Sequence, residues 1–488
     1  MLPFQFVEAN FDDEGLELEL WTPEDWSPEP AFLQELRNPQ LRGLAKRINR
    51  LWKDLSRRIK DEVKENPQLY SIIYVPNGFI VPGGEYVHFC RFAFIMIMTG
   101  KSLYVYSESE PSECCFSGRF REFYYWDTYW IVKALLRCGM AQTVRGIIEN
   151  FLLMVKTYGL VPNGGRIYYT KRSQPPFLPL MMKEYMAKTA EVDFLRQHVA
   201  TFEREIDFWE RRRSLLVETD GGVENMMFVY GTGGNGPRPE SYREDVELGE
   251  EFETEEEREE FYFHMKAGAE SGWDYSTRWM IDAQGKARGG LKAVRTNFVV
   301  PVDLNSVMHM NYVCMAEFYS LLGDAEKSEG HMEKAEALQK AIRRVLWSEE
   351  ERMWFDYDFL NRAPRKSFYP SNLFPLWAEC FDASERMLVA EASVAYLKRT
   401  GAIYCKGGVP TSLVESGQQW DFPNAWPPLQ HILVEGLLKT EHSEAKDMAL
   451  TVARRYTEAT MFSCPDGAEV CNMFEKVHSY IIFVFTSY

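Results

Sequence analysis

The amino-acid sequence predicts an all-helical domain in which paired helices surround a core. Three observations carry that prediction. Apolar residues recur at helical spacing along most of the chain, the segments between them are loops rich in Gly, Pro, Trp and Asp, and no fixed-period repeat signals a solenoid.

Taken in order, Pro30 to about Asn66 reads as two helical patterns, with Leu44, Ile48, Leu51, Leu55 and Ile59 on one stripe and a basic, solvated opposite face. Ile72 to Gly84 (IIYVPNGFIVPGG) is punctuated by Pro and Gly and reads as extended. Helices resume from Tyr129 with two apolar stripes and stop at Gly159, a C-cap candidate. VPNGGRIYYTKRSQPPF follows as a long ordered loop, and a helix pair runs from Leu178 through the ERR at 210–212. Further helices are expected near 254–266, 306–324, 328–346, 372–399, 427–439 and 443–459. The acidic run 244–261 reads as a solvated helix and its lead-in. GTGGNGPRPE, at 231–240, lacks the Lys-Ser/Thr of a phosphate-binding loop.

Composition narrows the function. At 488 residues, length alone would allow two or three domains, although large barrels stay single. A formal charge of −17 argues against a nucleic-acid groove and an anionic membrane surface, and suits a neutral polar ligand. No run approaches eighteen uninterrupted apolar residues, and the first residues lack the pattern of a secretory leader. Nine scattered cysteines form neither a C-x-x-C pattern nor a disulfide framework, and the eight histidines include no H-E-x-x-H, so no metal or other cofactor is expected.

Five loops share one chemistry: RFREFYYWD at 119–127, PNGGRIYYTKRSQ at 162–174, RPESYRED at 238–245, ESGWDYSTRW at 270–279 and ESGQQWDFPNAWPP at 415–428. Each sets Arg, Asp, Glu, Asn or Gln beside Trp, Tyr or Phe. A sugar ring needs paired donors and acceptors for its hydroxyls and flat rings for its C–H faces, so this mixture points to a neutral sugar. Glycosidic hydrolysis further asks for one carboxylic acid and one carboxylate. Asp127, Glu240, Asp274, Asp421 and Glu475 are candidates that composition does not rank.

Two of these loops carry a resemblance. RFREFYYWDTYW is similar to the first signature of the trehalases of glycoside hydrolase family 37, and ESGQQWDFPNAWPP resembles their second, with matching motifs in order along most of the chain. The resemblance implies an (α/α)6 barrel and hydrolysis of the small molecule α,α-trehalose to two glucose molecules with inversion. It implies a general acid at Asp274, in ESGWD, and a general base at Glu475, in MFEKV. Sugar contacts carry over to Arg119, Phe120, Trp126 and Asp127 of the first signature, and to Asn163, Arg172 and Gln174 of the PNG and RSQ loop. Arg238 and Glu240 match the RPES segment, and Trp420, Asp421 and Trp426 the second signature; Trp279 is expected to pack in the core. A monomer is expected. Animal members are often secreted or surface-anchored, which leaves localisation open.

The chain also departs from the family pattern. The family runs VPGG directly into RFRE, whereas here residues 85–118 intervene with the character of a retained intron. After MFEK the family continues into a glycine-rich closing loop and a final helical hairpin, where this chain reads VHSYIIFVFTSY to Tyr488. The expectation is one glycosidase domain over 1–488, with an atypical insertion at 85–118, an atypical tail at 477–488 and a barrel incomplete at its C-terminus. On that ground little activity is expected, and the alternative is an impaired remnant acting at most as a sugar-binding or structural protein.

Overall fold

Whether a helix is apolar all round or along one stripe tells where it lies in a bundle, and the chain contains both kinds in alternation. The computed structural model describes residues 15–37, 39–82, 121–219, 221–462 and 477–478. The helices that build the architecture are α1 (Pro39–Leu55), α2 (Tyr125–Arg137), α3 (Ala141–Tyr158), α4 (Leu178–Thr189), α5 (Val192–Arg212), α6 (Glu255–Ser271), α7 (Val302–Leu322), α8 (Ala325–Val345), α9 (Phe374–Ala378), α10 (Arg386–Arg399), α11 (Pro427–Lys439) and α12 (Ser443–Phe462), besides the helices Asp61–Glu65 and Tyr242–Gly249 and several 3-10 turns. α2, α7 and α11 bury nearly every side chain and lie inside. α5 buries one stripe through Phe194, Leu195, Phe202, Ile206 and Trp209, and α8 one through His331, Ala335, Leu338, Ile342 and Val345, so each packs outside.

Successive inner helices touch and close a ring. Tyr129 of α2 stacks on Phe177, the N-cap of α4, at 4.9 Å. Asn311 of α7 donates to the Pro176 carbonyl at 2.8 Å, and Cys380, just beyond α9, lies over the Ser306 carbonyl of α7. Trp377 of α9 donates to Glu435 of α11 at 2.9 Å. Lys133 of α2 pairs with Glu435 at 2.8 Å, and Trp130 donates to His431 at 3.2 Å, which joins the last inner helix to the first. The result is a helical toroid. Among the described residues it has α2, α4, α7, α9 and α11 inside and α1, α3, α5, α8, α10 and α12 outside. None of these helices is long and apolar enough to cross a membrane.

Three expectations need correction. The stripe assigned through Ile59 leaves the helix at Leu55, and Ser56–Ile59 is a strand between Leu18–Leu20 and Phe79–Ile80. Pairing with two distant segments there overrides a helix-compatible spacing. The single helix expected over 372–399 is broken between Ala378 and Arg386, where Glu379 takes φ 52° and Asp382 caps the turn at Ser384. That break reverses the chain from the inner ring to the outer one. Finally, Ser214–Thr219 and Val223–Phe228 form a β-hairpin that the helical rhythm did not predict.

Candidate active site

The five sequence loops contact one another, and those at 119–127, 162–174 and 415–428 lead into the N-terminal ends of inner helices α2, α4 and α11. α6 delivers the central one. Its first turn carries Glu255, Glu256 and Glu257 under a capping box made by Thr254 and Glu257, which suits the positive end of a helix. Its last residue, Ser271, is followed by Gly272 at φ 76°, and a Cβ there would stand 2.8 Å from the Trp126 ring. Only glycine allows both that left-handed turn and that approach. The chain then buries Trp273 and leaves Asp274 partly exposed.

Residues 274–277 are fastened to residues 416–421. Gln419 donates its side-chain amide to the Asp274 carbonyl, and the Trp420 N–H donates to the Tyr275 carbonyl at 3.0 Å. Asp421 is fully buried and accepts from Ser276 Oγ at 2.9 Å, from Thr277 N and Oγ1 at 2.8 Å each, and from Ser416 Oγ at 2.5 Å. Both of its oxygens are thereby engaged by protein. Above this seam three indoles lie nearly parallel: Trp273 on Trp420 at 5.2 Å, and Trp420 on Trp426 at 4.1 Å with planes 5° apart. Trp126 leans on Trp420 at 5.9 Å, and the Trp426 N–H reaches the Gln419 carbonyl at 2.9 Å.

The opposite wall is polar. Arg172, buried, donates to Asn163 Oδ1 at 2.9 Å, pairs with Glu240, and lies over the Tyr169 ring. Gln174 accepts the Trp126 N–H at 3.1 Å. Arg238 is held by two bonds from its guanidinium to Asp245, at 2.9 and 2.6 Å, and lies over the Tyr275 ring. Asp127 sits half-buried in the first turn of α2. Burial pushes the Asp274 carboxyl up to about 6, while the cationic Arg238 and Arg172 pull it down and Glu240 pushes it up. A carboxyl tuned this way exchanges its proton near neutral pH.

The site therefore brings together Trp126, Asp127, Asn163, Arg172, Gln174, Arg238, Glu240, Asp274, Trp420, Asp421 and Trp426. Arg119, Phe120 and Glu475, and the 85–118 segment, lie outside the described residues. Near the end of the chain, Val477–His478 pairs antiparallel with Asn424–Ala425, next to Trp426. Trp279 is fully buried, its N–H on the Trp273 carbonyl at 2.9 Å, as a packing residue.

Several supporting residues escaped the sequence analysis. Glu270 accepts from Ser173 N, Arg213 Nε and Nη2, and Gly231 N at 2.7–2.9 Å, tying three segments to α6. Arg278 lies between Trp273 and Trp279 and bonds both Asp303 and Asp356 at 2.6–3.0 Å. Arg166 joins Glu17 at 2.6 Å to Glu122 of the first signature. Gln419, Glu270, Arg278 and Arg166 all stand inside the quoted loops, but their partners lie 25 or more residues away in sequence, so the loops alone did not show what each one holds.

A protein-family model described as Trehalase matches residues 4–100 and 115–479, and the gap falls inside the 85–118 segment. The chain is 40% identical over 472 residues to a trehalase of Apis mellifera, covering 97% of this chain and 69% of that protein. It is 41% identical over 455 residues to a trehalase of Homo sapiens, covering 92% of this chain and 70% of that protein. Among solved structures, the neutral trehalase of Saccharomyces cerevisiae superposes with a TM-score of 0.56 at 22% identity, over 75% of this chain and 71% of that one, a likeness of fold.

Proposed function

The chain belongs to the trehalase family, and on that premise we propose how it hydrolyses α,α-trehalose to two molecules of glucose. Asp274 is the general acid. It gives its proton to the glycosidic oxygen as the C–O bond breaks, so that the first glucose leaves as a neutral alcohol. Glu475 is the general base. It takes a proton from water as that water attacks the anomeric carbon from the opposite face, which inverts the configuration. Such a pair works at a carboxyl separation of about 6.5–9.5 Å, wide enough for the water between them.

One observation carries the assignment of the acid: burial raises the Asp274 carboxyl to about 6, and the seam with residues 416–421 fixes the backbone that bears it. The Trp273–Trp420–Trp426 stack forms a rigid apolar backing beside Asp274, with both faces of Trp420 taken by the two outer indoles. Asn163, Arg172, Gln174, Arg238, Glu240 and Asp127 line a polar wall for the hydroxyls, and the family resemblance adds Arg119 and Phe120 as sugar contacts. Asp421, whose oxygens are taken by protein donors, serves by fixing the Ser276–Thr277 turn.

The chain acts as one glycosidase domain and as a monomer, with 85–118 and 477–488 as additions to the family pattern. The alternative of an impaired remnant gains no support from the comparisons. The test is glucose release from trehalose by the purified chain and by Asp274→Asn and Glu475→Gln, with the anomers followed by NMR. An Asp274→Asn protein that kept the parent's rate, or two products of unchanged configuration, would overturn the assignment.

A further inference from the structure

α6 does more than deliver Asp274. One turn before Glu270, Lys266 is buried and donates its ammonium to two backbone carbonyls of the glycine-rich loop, those of Gly234 and Gly236, the latter at 2.7 Å. The same loop is caught at three further points. Gly231 N–H goes to Glu270, Gly233 N–H to the Lys171 carbonyl at 3.0 Å, and Gly236 N–H to Glu259 at 2.8 Å. Residue 236 is two positions from Arg238 and four from Glu240. Four glycines in six positions leave this loop few side chains with which to hold itself, and the bonds that shape it come from outside.

We propose that Lys266 is a positioning residue for the sugar site: its ammonium fixes the 231–236 loop and thereby sets where Arg238 and Glu240 stand relative to Asp274. Both carbonyls point inward to one cation, an arrangement that a neutral side chain of the same length cannot replace. Glu259 and Asp245 face the ammonium favourably, while Arg172 and Lys171 oppose it. Burial lowers Lys266 to about 8, which leaves it cationic at neutral pH. Because the loop carries binding groups while Asp274 itself stays fixed by the seam with residues 416–421, loss of the ammonium acts chiefly on sugar binding, and the Asp274 carboxyl, which feels Arg238 and Glu240, moves its titration with them.

This inference rests on the assignment of Arg238 and Glu240 to the sugar, so Asp274→Asn is measured alongside. The expected result for Lys266→Met is a KM for trehalose raised about tenfold, the scale of one lost charged hydrogen-bond contact, with kcat within about twofold. Lys266→Arg, which keeps a cation and two donors, recovers most of the KM. A merely structural lysine would instead reduce the active fraction and the melting temperature with KM unchanged, and that result overturns the proposal. Should Lys266→Met not fold, Lys266→Gln is judged by the same KM criterion. An inactive Asp274→Asn beside Lys266 variants of parental KM would defeat this inference and leave the site standing. A fully active Asp274→Asn would defeat the site.

Discussion

Asp421 accepts both the backbone N–H and the hydroxyl of Thr277, at 2.8 Å each, across a sequence separation of 144 residues. The two segments that meet here carry the general acid and the indole layer. The bond is thus a joint between two halves of the site. Replacing Asp421 by Ala leaves a buried N–H and three hydroxyls without their acceptor, at a cost of about 1–3 kcal/mol for each donor that stays unsatisfied. The expected outcome is a lower urea midpoint together with a fall in kcat of about a hundredfold, the scale of a 1 Å misplacement. Asp421→Asn keeps the shape and should fall between the two. An Asp421→Ala enzyme with normal kcat would show that the seam does not position Asp274.

Arg278 is the only cation bonded to Asp303 and Asp356 among the described residues, and all three side chains are buried. Arg278→Met strands two carboxylates inside the protein, with an expected loss of about 3–5 kcal/mol in urea unfolding. The sign of its pH dependence follows. Unpaired buried carboxylates have raised folded pKa values, so protonation relieves them, and the loss shrinks as pH is lowered. A deficit that grows on acidification would contradict this account.

The acid must carry its proton to act. With Asp274 at about 6, kcat/KM for trehalose should fall about tenfold per pH unit above that value. Asp274→Asn should lose a factor of about 10²–10⁴ and with it that limb of the profile. A profile without a limb near 6, in a parent enzyme sensitive to Asp274→Asn, would place the titrating proton elsewhere.

Gly272 has both a left-handed backbone and an indole against it. Gly272→Ala must push Trp126 aside and strain the turn, at an expected cost of about 1–3 kcal/mol. Because Trp126 touches both Trp130 and Trp420, activity should fall with stability. Thermal melting and trehalose kinetics on the same preparation check this.

The sequence read well where chemistry is local. Helix α11 occupies the expected 427–439, and Gly159 caps α3 in a left-handed turn. The acidic run does form helix turns, although Asp245 within it is buried against Arg238. The misses have a common cause. Ser56–Ile59 became a strand because Leu18–Leu20 and Phe79–Ile80 offered partners, which spacing within one segment does not reveal. The Ser214–Phe228 hairpin did leave a local sign, the glycine pair at 221–222 between β-prone runs, and it was overlooked. The aromatic and polar residues lining the cleft stood in recognisable motifs. Those that fix them, Glu270, Arg213, Lys266 and Arg278, are held by partners far along the chain and became legible only in three dimensions.

Beneath the indoles the inner ring is stoppered. Trp126 packs edge-on against Trp130, and below it Lys133, Glu435, His431 and Trp377 knit α2, α9 and α11 together. Among the described residues, the floor under the site is therefore made of the same side chains that bind the inner helices to one another. The ring is in this sense both frame and bed: a substitution that loosens the grip of one inner helix on the next also unsettles the layer on which the indoles rest.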